Sequence, residues 1–141
     1  MKKATFFYLR NNCLIDNQHG EVDILLEGNI IIATLVGGFN EKGAVKYTEG
    51  VKAIVKNLEG KQYAILVDNS DMEGGTPEAY HILEEYNQWL NKTNLIAKAI
   101  VVKTIITTEL IKSLSPSIKR QTTKSFQDKE LAFEWLKELI S

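Results

Sequence analysis

Residues 63–77 read Tyr63-Ala-Ile-Leu-Val67-Asp68-Asn-Ser-Asp-Met-Glu-Gly-Gly-Thr76-Pro77, and this stretch decides the fold. Ala64–Val67 is a short apolar run, which is typical of a strand buried on both faces. Thr76 followed by Pro77 predicts the start of a helix, because a threonine hydroxyl caps free N–H groups and proline suits the first helical position. Sites in open α/β sheets lie beyond the carboxyl ends of strands, so the polar segment after Asp68 is the first candidate.

Outward from this stretch, strand and helix patterns alternate along the chain. Val22–Leu26 and Ile30–Val36 are separated by Glu27-Gly28-Asn29, a spacing that predicts a hairpin. Gly37-Gly38 is expected to end the second strand of the hairpin, and Asn40 is expected to cap the next helix. The other predicted strands are Ala97–Val102, taken as a continuous apolar run and hence buried, Arg120–Phe126 at a sheet edge, and a short one at Ala4–Leu9. The predicted helices run from Glu41 to about Glu59, from Thr76 to about Leu90, from Thr107 or Thr108 to Leu114, and from Asp128 to Leu139.

The order of these elements predicts the fold class. Strands that alternate with helices imply crossover connections and a parallel sheet, to which the hairpin adds an antiparallel strand. We therefore expect an α/β domain with a mixed, mostly parallel sheet of about five strands and four helices. In the last helix the apolar residues share one face, and the helix is expected to pack on the sheet through Trp135 and Leu136; the residues of this face are Leu131, Ala132, Trp135, Leu136 and Leu139.

Composition predicts an ordinary cytoplasmic protein. A chain of 141 residues with 44% apolar and 25% charged residues is typical of one globular domain. The net charge of −1 gives no reason to expect a nucleic acid partner. The single cysteine, Cys13, excludes an intramolecular disulfide and a cysteine-based metal cluster, which favours a reducing compartment. The N-terminal apolar stretch is too short for a signal peptide, and no run is long enough to insert into a membrane.

Three motifs, taken in order, resemble one family. They are Gly37-Gly38-Phe39-Asn40 at the exit of the hairpin, Ile65-Leu66-Val67-Asp68 before the capped helix, and the closing pattern Phe126-x-Asp128-x-x-Leu131-Ala132-x-x-Trp135-Leu136. Together they resemble the STAS-like family (sulfate transporter and anti-sigma-factor antagonist domains), in its SpoIIAA-like branch. The resemblance begins near Glu21, so residues 1–141 are interpreted as a single STAS-like domain whose residues 1–20 form an extension.

The resemblance implies a non-enzymatic regulatory or protein-interaction domain. In anti-sigma-factor antagonists, a serine within an Asp-Ser-Ser/Thr-Gly segment at the start of the second helix is phosphorylated. The corresponding place here reads Glu73-Gly74-Gly75-Thr76, and only Thr76 and Ser70 carry hydroxyls nearby, which argues against a phosphorylation switch. The alternative is a carrier of a small apolar molecule or lipid, because a sheet with a movable helix over a cavity resembles the CRAL-TRIO proteins.

The candidate binding residues are Asp68, Ser70, Asp71, Glu73, Gly74, Gly75 and Thr76. Asp68 and Asp71 could hold a divalent cation, but Asx-turns and helix caps are the commoner role of such residues, so no metal is expected. Gly37-Gly38 and Gly74-Gly75 each precede a helix, where an anion could sit, yet tight turns explain them equally well. No serine, cysteine or histidine has the surroundings of a nucleophile and its base, so we expect neither catalysis nor a cofactor.

Charge is unevenly distributed along the sequence. Residues 62–91 contain six acidic residues and no lysine or arginine, whereas residues 110–127 contain four basic residues and no acid. Solvated faces explain most such runs, but the segregation also predicts a protein partner with a basic surface, which could be a second copy of the chain in a homodimer.

Overall fold

The structure is a computed structural model that describes residues 2–4 and 19–140. Its six strands are β1 (Lys2–Ala4), β2 (Glu21–Glu27), β3 (Ile30–Phe39), β4 (Tyr63–Gly75), β5 (Leu95–Val101) and β6 (Thr123–Phe126). Its helices are α1 (Glu41–Asn57), α2 (Pro77–Leu90), α3 (Ile105–Leu114) and α4 (Lys129–Ile140), with a 3₁₀ helix at Pro116–Arg120.

The strands form one sheet in the order β1-β2-β3-β4-β5-β6, so each strand lies beside the strand that precedes it in the chain. The pairs β1–β2 and β2–β3 are antiparallel, and the turn between β2 and β3 is made by Gly28 and Asn29. The remaining three pairs are parallel. The prediction of a mixed, mostly parallel sheet with an N-terminal hairpin and four helices is therefore confirmed.

The two faces of the sheet are covered by different helices. On one face Ile31, Ile65 and Ile100 pack against α1 and α2, which contribute Val51 and Tyr86 among others. On the opposite face the core is smaller and is covered by α4. Its buried members include Leu66, Ala99, Ala132 and Leu136, with Phe126 and Trp135 packed at its margin. Because successive residues of a strand point to opposite faces, a continuous apolar strand such as Ala64–Val67 serves both cores.

Helix caps predicted from sequence are present. The Asn40 side chain accepts a hydrogen bond from the N–H of Gly43, and the Thr76 hydroxyl accepts one from the N–H of Ala79. Asp128 Oδ1 accepts hydrogen bonds from the N–H groups of Glu130 and Leu131 at the start of α4. These side chains satisfy N–H groups that have no partner within their own helices.

Several boundaries differ from the prediction. β3 continues through Gly37-Gly38 to Phe39, and residues 69–75 belong to β4 rather than to a loop. The third helix starts after Thr104, whose side chain makes no capping hydrogen bond, so the prediction of a cap at Thr107 or Thr108 is wrong. The first residue of the predicted edge strand, Arg120, instead ends the 3₁₀ helix, and β6 begins at Thr123.

The apolar face of α4 is only partly covered. Leu136 is fully buried, whereas Leu131 is 61% exposed and Leu139 is also exposed. The helix therefore packs on the sheet through Leu136, with Trp135 partly buried beside it, as predicted, while Leu131 and Leu139 of the same apolar stripe lie outside this core.

At the N-terminus, β1 adds a sixth strand, and it overlaps the predicted strand Ala4–Leu9 only at Ala4. Residues 5–9 of that predicted strand, and Cys13, lie outside the residues that the structure describes. Among the described helices, none combines the length and the apolar character that crossing a membrane requires.

Candidate functional site

The segment that sequence analysis singled out is an irregular continuation of β4. Asp68 pairs with Thr34, but the next pair joins Asp71 to Val36, so β4 carries one more residue than β3 between the two pairs. A second irregularity of the same kind falls between Met72 and Gly75. Such bulges bend a strand and re-aim its side chains, and they are frequent beside functional sites. Because β5 pairs with β4 only as far as Asp68, residues 69–75 extend beyond the end of β5.

Asp68 holds the first bulge together. Its Oδ1 accepts hydrogen bonds from the N–H of Ser70 at 3.0 Å and from the Ser70 hydroxyl at 2.5 Å. Its Oδ2 lies 3.8 Å from Nζ of Lys129 at the start of α4. The carboxylate therefore makes an Asx-turn and links the strand end to the helix on the opposite face, which is the structural role that sequence analysis favoured.

The other predicted acids do not converge on Asp68. Asp71 Oδ1 lies 3.5 Å from Nζ of Lys103, and both side chains are largely exposed. Glu73 is exposed as well. Within residues 19–140, no group of three or more histidine, cysteine, aspartate or glutamate side chains is arranged to hold a metal ion.

The remaining predicted residues line an open depression of about 390 Å³ where the N-termini of α1 and α2 approach each other. Its wall contains Glu73, Gly74, Gly75 and Thr76, together with His19 and residues 38–40. Asn40 Oδ1 accepts hydrogen bonds from the N–H groups of His19 and Gly43, each at 3.0 Å. The structure thus places four of the seven candidate residues around this depression and the other three on the preceding bulge and its exposed edge.

A second, more enclosed site lies behind this segment. A cavity of about 50 Å³ is bounded by the sheet, by α1 and α2, and by Ile111 of α3 and Ile118 of the 3₁₀ helix. Most of its lining is apolar. The polar side chains in its wall are Asn69 of β4, Asn87 of α2 and Lys98 of β5, together with the hydroxyl-bearing Tyr47 of α1 and Tyr80 of α2. Met72 and Gly75 of the bulged segment also line it, so residues 69–75 separate the cavity from the surface.

Lys98 is the one cation in this wall. Its side chain is only 3% exposed, its Nζ donates a hydrogen bond to Asn87 Oδ1 at 2.7 Å, and the ammonium lies 5.5 Å from the centre of the Tyr86 ring. Burial lowers the pKa of Lys98 from its ordinary value of 10.5 to about 7, because the charged form loses its hydration. A buried lysine with a perturbed pKa beside a cavity is a candidate for function.

A chain of hydrogen bonds leads from Lys98 to the surface. Asn87 Nδ2 donates to Ser115 Oγ at 2.9 Å, and Ser115 Oγ donates to Glu84 Oε1 at 3.0 Å. The direction is fixed at both ends, since an ammonium only donates and a carboxylate only accepts. Partial burial would by itself raise the pKa of Glu84, but hydrogen bonds from Ser117, Gln88 and Ser115 outweigh it and hold this pKa below its ordinary value.

Asn69 completes the polar part of the cavity. It is 7% exposed, and its Oδ1 has no hydrogen-bond partner within the described part of the chain. Buried side-chain oxygens are nearly always paired, so Asn69 brings to the cavity wall an acceptor whose donor is missing among the described residues.

Sequence analysis missed this cavity. Its prediction treated Ala97–Val102 as apolar and passed over Lys98, although a lysine at an inward position of a buried strand is the signal that marks it. Asn87 follows Leu83 by four residues, on the inner face of α2, which is an equally unusual position for an amide. No local signal identifies Asn69, because its burial depends on the unpredicted extension of β4.

Comparisons with known proteins identify the fold. No family model matches the sequence, and no curated protein matches it. A solved structure does match: an uncharacterized protein of the DUF3478 family with a SpoIIAA-like fold, from Shewanella loihica PV-4. The TM-score is 0.65 over 89% of this chain and 99% of that one, at 15% sequence identity. The fold of this chain is therefore SpoIIAA-like, as the STAS-like motifs predicted, and at this identity the likeness concerns the fold alone.

Proposed function

From a SpoIIAA-like fold that encloses a cavity with a buried lysine, we propose that this chain is a non-enzymatic regulatory domain that binds a small molecule between its sheet and α2. The observation that carries this proposal is the wall of the cavity, where Lys98, Asn87 and Asn69 line a space whose other side chains are mostly apolar. A few placed polar groups in an apolar pocket are typical of ligand sites.

The size of the cavity restricts the guest. One water needs roughly 10–15 Å³ of such space, so 50 Å³ accommodates about three to five water-sized groups. A guest of a few non-hydrogen atoms fits without rearrangement. A lipid, as in the CRAL-TRIO alternative, would require α2 or α3 to move away from the sheet, so we favour a small guest.

The cavity wall also connects to the surface where a protein partner was predicted. Asn69 and Met72 of β4 line the cavity, whereas Asp71 and Glu73 alternate with them and are exposed. A guest that contacts the inner side of this strand would order the segment that carries the outer acids. We propose that a partner with a basic surface, either another protein or a second copy of the chain, binds these acids. The affinity of this partner would then depend on whether the cavity holds a guest.

We propose that the chain acts in the cytoplasm and catalyses no reaction. The single cysteine supports a reducing compartment. The described groups in contact with the Lys98 ammonium are an asparagine and a tyrosine ring, which supply no nucleophile or general base beside it.

A small neutral probe tests the binding function. We expect saturable shifts in the methyl NMR spectrum on titration with 1,3-butanediol, confined to the signals of cavity residues such as Leu35, Val67, Leu83 and Ile100. Native mass spectrometry of the protein purified from its own host should in addition reveal a retained small molecule. A protein that arrives empty and gives no saturable methyl shift with any small probe would contradict the proposal.

A charge reversal tests the second function, the protein contact. Asp71→Lys with Glu73→Lys should abolish capture of a partner, with little effect on folding because both side chains are exposed. The matched control is Glu78→Lys with Glu85→Lys, two exposed acids on α2. Capture that survives the first pair at low and high salt alike would show that these acids do not form the contact surface.

A further inference from the structure

We infer that the guest of the cavity is a small hydroxylated monocarboxylate, whose carboxylate accepts hydrogen bonds from Lys98 and whose hydroxyl donates to Asn69. This inference rests on the proposed binding function and names the chemical class of its ligand. It follows from three properties of the wall within the described residues, namely a cationic group without a counter-ion, one acceptor without a donor, and a mostly apolar remainder.

The first property is the charge of Lys98. An ammonium can donate three hydrogen bonds, and the structure shows one, to Asn87. No carboxylate of residues 19–140 lies within ion-pair distance of its Nζ. A buried charge without a partner is unfavourable, and an anion beside it interacts far more strongly than it would in water.

The groups that face Lys98 from the neighbouring elements do not supply that anion. α2 contributes Asn87 and the ring of Tyr86, and the hydroxyl of Tyr86 meets Tyr47 of α1. Burial raises the pKa of Tyr47 to about 12 and the pKa of Tyr86 well above its ordinary value, so both phenols stay neutral at pH 7. From α3 and the 3₁₀ helix come Ile111 and Ile118.

Glu84 is the nearest acid along the hydrogen-bond chain, and it is already engaged. Its carboxylate accepts hydrogen bonds from Ser115, from Ser117 and from Gln88 at the protein surface. When Lys98 is protonated, one positive charge without a counter-ion in the described part of the chain therefore lies at the cavity, and a guest with a single negative charge would balance it. A monocarboxylate supplies this charge, whereas a doubly charged phosphate would leave a second charge buried without a partner.

The second and third properties define the rest of the guest. Asn69 Oδ1 needs a donor, which a hydroxyl provides and a second carboxylate does not. The apolar wall, which includes Leu35, Val67 and Ile100, suits a short hydrocarbon body. A hydroxy acid of about four carbons combines these features. Its non-hydrogen atoms share covalent bonds, so together they need roughly the volume of five water molecules, which is the upper limit of this cavity.

Three probes of nearly equal size test the inference, with dissociation constants measured by NMR titration or calorimetry. 3-Hydroxybutyrate carries both recognised groups, butyrate lacks the hydroxyl, and 1,3-butanediol lacks the charge. We expect 3-hydroxybutyrate to bind at least about tenfold more tightly than either of the others, since each lacks one buried hydrogen-bonding group. Its affinity should also fall by about tenfold or more from pH 6.5 to pH 8.5, as Lys98 loses its proton, while that of 1,3-butanediol stays constant.

Two variants assign the preference to residues. Lys98→Met keeps the length of the side chain and should remove the advantage of 3-hydroxybutyrate over 1,3-butanediol. Asn69→Leu should remove its advantage over butyrate. Lys103→Met, at an exposed lysine, is the control and should change neither.

The outcomes separate this inference from the function on which it rests. If 1,3-butanediol binds in the cavity as tightly as the carboxylates, or if the preference for the carboxylate survives Lys98→Met, the ligand class is wrong while the binding function stands. If none of the three probes binds, the ligand class is wrong, and the binding function fails with it where the protein purified from its own host also carries no small molecule.

Discussion

The carboxylate of Glu84 on α2 caps the 3₁₀ helix through Ser117, accepting hydrogen bonds from its backbone N–H at 3.0 Å and from its hydroxyl. The two residues are 33 positions apart in the chain. By capping a helix other than its own, Glu84 satisfies an N–H group that would otherwise lack a partner. It also holds the 3₁₀ helix against α2, which covers the cavity.

Glu84→Ala should lower the free energy of unfolding by roughly 1–2 kcal/mol, because charge-assisted hydrogen bonds are lost at a partly buried position. Glu85→Ala is the control, since Glu85 is exposed and pairs only with His81 in the next turn of the helix. It should cost less than about 0.5 kcal/mol. Urea denaturation measures both. The folded pKa of Glu84 lies below its unfolded value, so this contribution is present above about pH 4.5 and is lost as the pH falls further. Equal effects of the two substitutions would contradict the assigned role.

Because the pKa of Lys98 is lowered in the folded protein, the free energy of unfolding should be larger in mildly alkaline solution than at neutral pH. Between the folded pKa of about 7 and the ordinary value of 10.5, the unfolded chain binds a proton that the folded protein does not. Stability then rises with pH by about 1.4 kcal/mol per unit, or roughly 2.5 kcal/mol from pH 7.5 to pH 9.5. Above about pH 10 the rise in stability is opposed by Tyr47 and Tyr86. Their pKa values are raised in the folded protein, so their ionisation favours the unfolded chain.

Lys98→Met should abolish this slope and raise the melting temperature at pH 7.5, since an apolar side chain in this position carries no desolvation cost. Lys103→Met should keep the slope of the parent protein. Stability of the parent protein that stays flat across the window would show that Lys98 is hydrated or paired when folded.

Leu136 and Leu131 provide a matched pair on α4. Leu136→Ala should cost about 2–5 kcal/mol, because the side chain is fully buried against the sheet. Leu131→Ala removes the same atoms from an exposed position, and its effect should stay within about 0.5 kcal/mol. Equilibrium unfolding measures the difference, and similar losses at both positions would mean that α4 is rotated relative to the orientation described here.

Gly43 should not tolerate alanine, although alanine favours helices. A β-carbon at this position in α1 would overlap the backbone carbonyl of His19, which crosses the start of the helix. We expect Gly43→Ala to destabilise the fold by about 1–3 kcal/mol, against the gain of roughly 1 kcal/mol that helix propensity alone predicts. Gly38→Ala, where nothing lies within 4 Å of the added carbon, is the control. A stabilised Gly43→Ala variant would place residues 19 and 20 away from α1.

Features that depend on neighbouring residues in the chain could be predicted from the sequence. The caps at Asn40, Thr76 and Asp128 follow from the chemistry of one side chain and the N–H groups two or three residues later. The hairpin turn at Gly28 and Asn29 is local in the same sense. The periodicity that separates strands from helices is likewise contained within each element, and it was enough to predict the fold class.

Features that depend on distant partners could not be predicted in this way. Residues 69–75 have the composition of a loop, and they form a strand because residues 36–39 of β3 supply backbone partners. The orphan oxygen of Asn69 is a consequence of that pairing. Leu131 and Leu139 fit the apolar period of α4, but the period does not reveal how much of the stripe the sheet covers. Lys98 differs, because its identity and its position in a buried strand were both visible in the sequence.

The sequential order of the strands has a consequence for how the chain folds. Each strand hydrogen-bonds to the strand that precedes it in the chain, so no strand has to wait for one that comes later than its neighbour. The parallel partners are still separated by a crossover helix, as Ile30 is from Ala64, so closing these loops costs more entropy than closing the hairpin of β2 and β3. During synthesis from the N-terminus, the neighbour of each strand from β2 to β6 has already been synthesised when that strand emerges. The growing edge of the sheet is thus, at every stage, the edge that the next strand will cover.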